Sequence, residues 1–310
     1  MSSIQTNVAA MTALRTLQAT NSALETTQAR VSTGLRVNEA SDNAAYWSIA
    51  TTMRSDNKAL GTVKDALGLG QAKVDVAYTG LNAAIDVVDQ IKTKLVAARE
   101  PGVDKSKIQS ELGELQNQLR SIATSSSFSG ENWLSINHDT ATDGALTKEI
   151  VSSFDRAENG SVSVGTLEVT ASDVALFNAD AGATNVGILD TQFTTTGDGA
   201  VTVSVSTLDI TATNIDDTDI DEMISAADTA VQSMTTAASD LGATKARVNM
   251  QSDFVTNLMA AVDRGISSLV DADMTAESTR LSALQTQQQL GIQSLSIANS
   301  GAQSILSLFR

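Results

Sequence analysis

Cysteine is absent from this chain of 310 residues, and proline (Pro101) and histidine (His138) occur once each. Without cysteine there is no disulfide framework and no thiolate-held zinc. With one histidine, Ser–His–Asp triads, His-Glu-x-x-His zinc sites and most imidazole general-base schemes lack their parts. Aromatic residues make up only 3% of the chain, too few for a thick core built on large rings. Basic residues are also in deficit, 20 against 36 acidic ones, for a formal charge of −16. Phosphate backbones repel such a chain, which argues against nucleic-acid binding. No window approaches the roughly 18 consecutive apolar residues of a transmembrane helix. The start Met-Ser-Ser-Ile-Gln-Thr-Asn-Val has neither a basic nor an apolar segment, so no cleavable secretory signal is expected. The chain is then cytosolic, or it leaves the cell by a route that such a signal does not mark.

What is present is heptad spacing at both ends. Tyr46, Ile49, Met53, Leu60, Val63, Leu67, Val74, Leu81, Val88, Ile91 and Leu95 recur at intervals of three and four, or multiples of seven. Ile220, Ile224, Val231, Met234, Leu241, Val248, Val255, Met259, Val262, Ile266 and Leu269 do the same in the second half. Such repeats wrap one helix on another and do not build a globular core. The spacing predicts helices over about 3–34, 44–99, 104–125, 219–270 and 275–310. Gly34 is the expected stop of the first, Ser41 or Asp42 the cap of the second and Asp104 the cap of the third. Glu100-Pro-Gly102 and Asp271-Ala-Asp-Met274 are the expected breaks.

Between residues 137 and 217 the period becomes two. Val162-Ser-Val164, Leu167-Glu-Val169, Val201-Thr-Val-Ser-Val205 and Leu208-Asp-Ile210 alternate, separated by Gly, Asn, Asp and Thr. A β-rich insert with hairpins is expected there. The fold class is mainly α: a long antiparallel rod with coiled-coil-like packing of the N- and C-terminal halves, plus this small inserted domain.

Little in the chain carries chemistry, and neither a cofactor nor a metal is expected. Gly68-Leu-Gly70 lies mid-helix with no preceding strand, so it is no phosphate loop. Asn159-Gly-Ser161 matches a glycosylation sequon that nothing else in the chain supports. Asp217, Asp219 and Asp221 resemble the start of a calcium loop, but the glycine and late glutamate are missing. They read as acidic residues at a helix N-terminus, favoured by its dipole. Adjacent Tyr46 and Trp47 read as a packing anchor at a joint.

The terminal helices differ. Their seams are diluted by Asn21, Gln28, Gln288 and Gly291, while apolar residues also occupy other faces (Ile4, Met11, Ile292, Ile297, Leu306, Leu308). A single hairpin cannot bury all of these, and surplus apolar surface points to assembly. The expected interface comprises Ile4, Val8, Met11, Leu14, Leu17, Leu24, Val31, Leu35, Leu281, Leu284, Leu295, Ile305, Leu306 and Phe309. Packing between the long helices is expected from Tyr46, Trp47, Leu60, Leu67, Leu81, Ile91, Ile224, Leu241, Val255 and Val262.

Val31-Ser-Thr-Gly-Leu-Arg-Val-Asn-Glu-Ala-Ser-Asp-Asn-Ala-Ala45, followed by Ile49-Ala, resembles the N-terminal signature of bacterial flagellins. Asp240-Leu-Gly-Ala-Thr-Lys-Ala-Arg-Val-Asn249, Leu269-Val-Asp-Ala-Asp-Met274 and Ser304-Ile-Leu-Ser-Leu-Phe-Arg310 are similar to its C-terminal counterparts. Phe128-Ser-Gly-Glu-Asn-Trp133 resembles the return segment before the variable region. Asn43-Ala-Ala-Tyr-Trp-Ser48 departs from the usual pattern and is similar to the rhizobial, α-proteobacterial branch, which builds rigid complex filaments from several related subunits.

The resemblance implies a subunit that polymerises into the extracellular flagellar filament for swimming. Residues 1–42 and 275–310 would form the filament core, 43–136 and 219–274 the surrounding rod and 137–218 the exposed outer domain. It implies unfolded export by the flagellar type III route, which accounts for the absent signal. The implied partners are other flagellin subunits in a homo- or heteropolymer, cap and hook-junction proteins, an export chaperone and the export gate. The stretch through which animal Toll-like receptors sense flagellins aligns with Val88-Asp-Gln-Ile-Lys-Thr-Lys94. Changes at Val88, Gln90, Thr93 and Lys94 imply weakened recognition. A hook–filament junction protein shares such terminal helices, an adhesin or phage-fibre module would use a trimeric heptad, and an enzyme would need an inserted catalytic domain.

Overall fold

A computed structural model describes residues 7–137, 146–179, 187–197, 200–213 and 215–307, with side chains described up to residue 300. Ile4, His138 and Phe309, and the side chains of Ile305, Leu306 and Leu308, lie outside that description. The chain is mainly α with a small β-rich insert. It divides into two compact units, Met1–Lys58 with Met259–Arg310, and Ala59–Leu258. The first unit carries eight acidic and eight basic side chains, so it is formally neutral. The second holds the other 28 acidic and 12 basic ones, and with them the whole charge of −16.

In the first unit, helix α1 spans Val8–Thr33. Asn7 caps it by accepting the Ala10 N–H at 3.0 Å, and it ends at Gly34, whose φ of 73° is open to glycine at little cost. The chain then forms a joint. Leu35 pairs with Asp271 in an antiparallel bridge, the Arg36 and Val37 amides both donate to the Val270 carbonyl, and the Ala272 N–H donates to the Gly34 carbonyl. Val37, Ala50, Ile266 and Val270 bury themselves there, with Leu35, Met53, Val262 and Leu269 against them. The Asp42 carboxylate accepts the Asn38 and Glu39 amides. The Glu39 amide, then the Asn38 amide, holds its carboxyl below the usual value.

Helix α2 (Ala44–Ala98) is capped by neither Ser41 nor Asp42. Asp42 is engaged by those two amides and the Ser41 hydroxyl by Glu39. Asn43 takes the role, accepting the Ala45 and Tyr46 N–H groups at 3.1 Å each.

In the second unit, α2 lies beside α4 (Asp217–Val270). Ion pairs Asp75–Lys245, Lys92–Asp228 and Arg99–Asp221 advance by 17 and then 7 residues on both helices, so the antiparallel register is constant. The buried stripes are the heptad positions: Leu67, Val74, Leu81, Val88, Ile91 and Leu95 on α2, and Ile220, Met234, Leu241, Val248 and Val255 on α4. Helix α3 (Lys105–Ser125), capped by Asp104, buries Ile108, Leu112 and Leu119.

Strands β1 (Ser127–Phe128) and β2 (Glu131–Asn132) form a tight hairpin through Ser129 and Gly130, both at positive φ. β3 (Ser135–Ile136) pairs in parallel with β6 (Phe177–Asn178). β4 (Thr147–Arg156) and β5 (Val162–Thr170) make the main hairpin, with a bulge between Val151 and Ser153. β7 (Phe193–Thr194) pairs with β8 (Thr202–Val203). β4 is seated on the helices by Ile150, which lies against Gly70 of α2, and by the Gln251 amide donating to the Ser152 carbonyl. Glu131 receives Lys73 from α2 and Lys148 from β4.

Two alternating segments are not the strands that their pattern predicts. Only Thr202–Val203 of 201–205 is strand, and Val205–Thr207 is a 3-10 turn. Leu208 and Ile210 are buried without a ladder. Side chains of α3 satisfy this backbone instead: Gln109 and Gln116 donate to the Leu208 carbonyl, and Gln109 accepts the Ile210 N–H.

The acidic run 216–222 builds the start of α4. Asp216 accepts the Thr218 and Asp219 amides, and buried Asp219 accepts the Asp216 and Gly197 amides in return. The Asp216 amide, followed by the Thr195 hydroxyl, lowers the Asp219 pKa. Glu222 accepts the Thr196 N–H at 2.7 Å. The carboxylates thus tie the loop at 195–197 to the helix. Among the described residues no group of three or more His, Cys, Asp and Glu side chains is placed to hold a metal.

Candidate assembly surface

The surface of interest is the pair formed by α1 and α5 (Met274–Ser307), whose N-terminal amides at Thr275 and Ala276 donate to Asp273. They run antiparallel. The Asn7 side chain donates to the Ala298 carbonyl at 2.9 Å, Gln288 donates to Asn21 at 2.9 Å, and Arg30 pairs with Glu277 at 3.1 Å. Gly291 leaves room for Leu17, since a Cβ there would stand 3.2 Å from Leu17 Cδ1.

The seam between them is thin. Among the described residues its buried side chains are Thr20, Thr27 and Leu284. Leu17, Leu24, Val31, Leu35, Leu281 and Leu295 are half-buried. Val8, Met11 and Leu14 stand exposed on α1, Val8 at 64%. Leu290, Ile292 and Ile297 do so on α5, Ile297 at 69%. Small residues around Gly291, among them Ala9, Ala13 and Ser294, line a groove between the helices, edged by Val8 and Leu290. Its other described lining residues are Thr12, Thr16, Thr20 and Gln287, none of them titratable, and the three threonine hydroxyls are spent on carbonyls of their own helix. The arrangement can do one thing chemically, which is to exclude water against another apolar surface.

The residues expected to pack the long helices divide. Leu60, Leu67, Leu81, Ile91, Leu241 and Val255 are buried, and Ile224 and Val262 half-buried. Tyr46 and Trp47, read as an anchor at the joint, are instead 41% and 37% exposed. Smaller Val37 and Ala50, with Ile266 and Val270, form the buried core of the joint in their place. In the stretch expected to concern a receptor, Val88 is fully buried and Gln90 and Thr93 are exposed. Lys94 pairs with Glu111.

Sequence reasoning passed over Met250 and Phe254, exposed on α4, and Leu69 and Val96, exposed on α2. The signal for the first two was available as an apolar i, i+4 pair lying off the heptad seam.

The profile of the bacterial flagellin N-terminal helical region matches residues 4–139, and that of the C-terminal helical region matches residues 224–309. Flagellin C of Rhizobium meliloti (strain 1021) is 52% identical over 323 residues, covering 100% of both chains. Flagellin B of Rhizobium meliloti is 42% identical over 400 residues, again with both chains covered in full. A flagellin of Brucella melitensis biotype 1 is 45% identical over 312 residues at the same coverage.

Proposed function

Since the chain belongs to the bacterial flagellin family, we propose that its copies polymerise through the outward faces of α1 and α5. The protein is a structural subunit of the extracellular flagellar filament, of the rhizobial type, and not an enzyme. Residues 1–42 and 275–310 form the filament core in this reading, 43–136 and 219–274 the rod around it, and 137–218 the outer domain.

One observation carries the reading. Among the described residues the helix pair buries only Thr20, Thr27 and Leu284 in its own seam, while Val8, Met11, Leu14, Leu290, Ile292 and Ile297 face solvent. Burying a side chain of this size fully contributes about 1.5–3 kcal/mol. Each docking subunit therefore gains from its neighbours what its own hairpin leaves unclaimed. Chains lacking residues 1–20 or 291–310 are expected to stay soluble under conditions that sediment the whole chain as filaments, checked by electron microscopy. Normal filaments from either truncation would refute the proposal.

The chain leaves the cell unfolded by the flagellar type III route, held beforehand by a chaperone and passed through the export gate. In the filament it meets other flagellin subunits, the cap and the hook-junction proteins. The absence of cysteine crosslinks and the thin terminal seam support this, since both lower the barrier to threading an extended chain.

Recognition by animal Toll-like flagellin receptors is weakened. With Val88 buried, that stretch presents Gln90, Thr93 and an ion-paired Lys94. Purified, endotoxin-free monomer is expected to give little signal in receptor-reporter cells, and a full response would overturn the reading.

A further inference from the structure

We infer that the amide pair Asn21–Gln288 is a specificity-determining element that fixes the register of α5 against α1. The apolar spacing alone does not fix it. Antiparallel pairing that seats Leu17 at Gly291 sets Leu24 opposite Leu284, and a slide of one heptad still gives Leu284 an apolar partner, Leu17 one way and Val31 the other. In the observed pairing the Gln288 side chain donates to Asn21 at 2.9 Å, with both residues half-buried. A slide of seven residues sets Asn21 against Leu281 or Leu295 and deprives its amide of a partner. The same slide replaces Gly291 by Leu284 or Ala298 opposite Leu17, where a lone Cβ already meets Leu17 Cδ1 at 3.2 Å. It also parts Arg30 from Glu277 and opposes the Leu35–Asp271 bridge at the joint, so the amide pair acts on the stretch of seam beyond that joint.

Polar pairing inside an apolar seam is costly to misplace and adds little when correct, which is how such a pair selects one arrangement among several. Three of the four residues that dilute the seam thereby acquire a role, Gly291 as the space for Leu17. Gln28 is exposed and has none.

The consequence for assembly rests on the polymerisation proposed above. One heptad displaces the helices by about 10 Å, which would carry Val8, Met11 and Leu14 past Leu290, Ile292 and Ile297. A polymer of repeating contacts requires every copy to present these side chains in one alignment.

The chain has no cysteine, so introduced pairs report register. Leu24→Cys with Leu284→Cys tests the observed alignment, while Val31→Cys or Leu17→Cys with Leu284→Cys tests a slide of one heptad either way. Intrachain cross-link yield is read by non-reducing electrophoresis on soluble chains and on sedimented polymer. With Asn21 and Gln288 in place, the 24/284 pair is expected to dominate. In an Asn21→Leu, Gln288→Leu chain the shifted pairs are expected to rise about tenfold, the factor that one misplaced polar contact sets. The exchanged chain, Asn21→Gln with Gln288→Asn, is expected to keep the 24/284 pair dominant.

Undiminished dominance of 24/284 in the leucine chain would overturn the inference. So would loss of all three cross-links there, because an apolar pair only adds burial to the seam. A chain that holds its register but never sediments would refute the polymerisation reading and leave the pin standing.

Discussion

Gly68 and Gly70 lie two residues apart, on nearly opposite faces of one helix, and replacing them with alanine should affect stability differently. In a helix interior alanine is favoured over glycine by about 0.8–1.0 kcal/mol. At Gly68 nothing lies within 4 Å of the added methyl group, so Gly68→Ala is expected to gain close to that amount. At Gly70 the methyl would stand 3.0 Å from Ile150 Cγ1 and 3.1 Å from Cδ1, with Cγ2 closer still. Ile150 is 3% exposed and has little room to withdraw. Overpacking of this kind costs about 1–3 kcal/mol, which exceeds or cancels the helix gain. Gly70→Ala should therefore be neutral to destabilising by about 2 kcal/mol.

The cycle with Ile150→Ala isolates the contact. That truncation alone costs about 2–5 kcal/mol, but it empties the space, so on its background Gly70→Ala should become stabilising. The coupling energy is then about 1–3 kcal/mol. Urea unfolding followed by Trp133 fluorescence measures it in a Trp47→Phe background, because Trp133 is buried in the second unit and Trp47 is exposed in the first. If Gly70→Ala stabilises equally with Ile150 present or truncated, β4 is not seated on α2 as described.

Asn43→Ala removes the cap of α2 and is expected to destabilise the joint by about 1 kcal/mol, measured by hydrogen exchange of the Ala45 and Tyr46 amides. No change in their protection would show that the cap is dispensable. Glu131 supplies an acid-sensitive term. The Lys73 hydrogen bond, with Lys148 adding to it, holds its pKa below the ordinary 4.5. A depressed folded pKa stabilises above the unfolded value and is lost as pH falls through the folded one. Natural chain and Glu131→Gln should thus differ in stability above pH 4.5 and converge in stronger acid. A difference that stays constant from about pH 7 to about pH 3 would exclude this linkage.

The helices were legible because their determinants are local or periodic. Gly34, Asp104 and the break at Asp271–Met274 act through neighbouring backbone, and the heptads select one face wherever the partner helix lies. The insert resisted for the opposite reason. Alternation at Val201–Val205 and Leu208–Ile210 marks burial correctly, but a ladder needs a neighbouring strand, and the partner here is a pair of glutamine side chains roughly a hundred positions earlier. β4 has its alternation broken by the bulge between Val151 and Ser153. In the candidate surface, the surplus apolar residues of α1 and α5 could be counted in advance. That Asn21 meets Gln288, and Leu17 meets Gly291, depends on how two distant segments align.

The uneven partition of charge has a consequence for solutions of this protein. A formally neutral first unit adds no net monopole repulsion when such units meet, whereas sixteen uncompensated negative charges accompany every chain through the second. Crowding those units raises the local counter-ion concentration, and at low ionic strength it keeps separate molecules dispersed. Added electrolyte shortens the reach of that repulsion while barely weakening hydrophobic adhesion, so ionic strength can set when growth begins without altering which surfaces adhere.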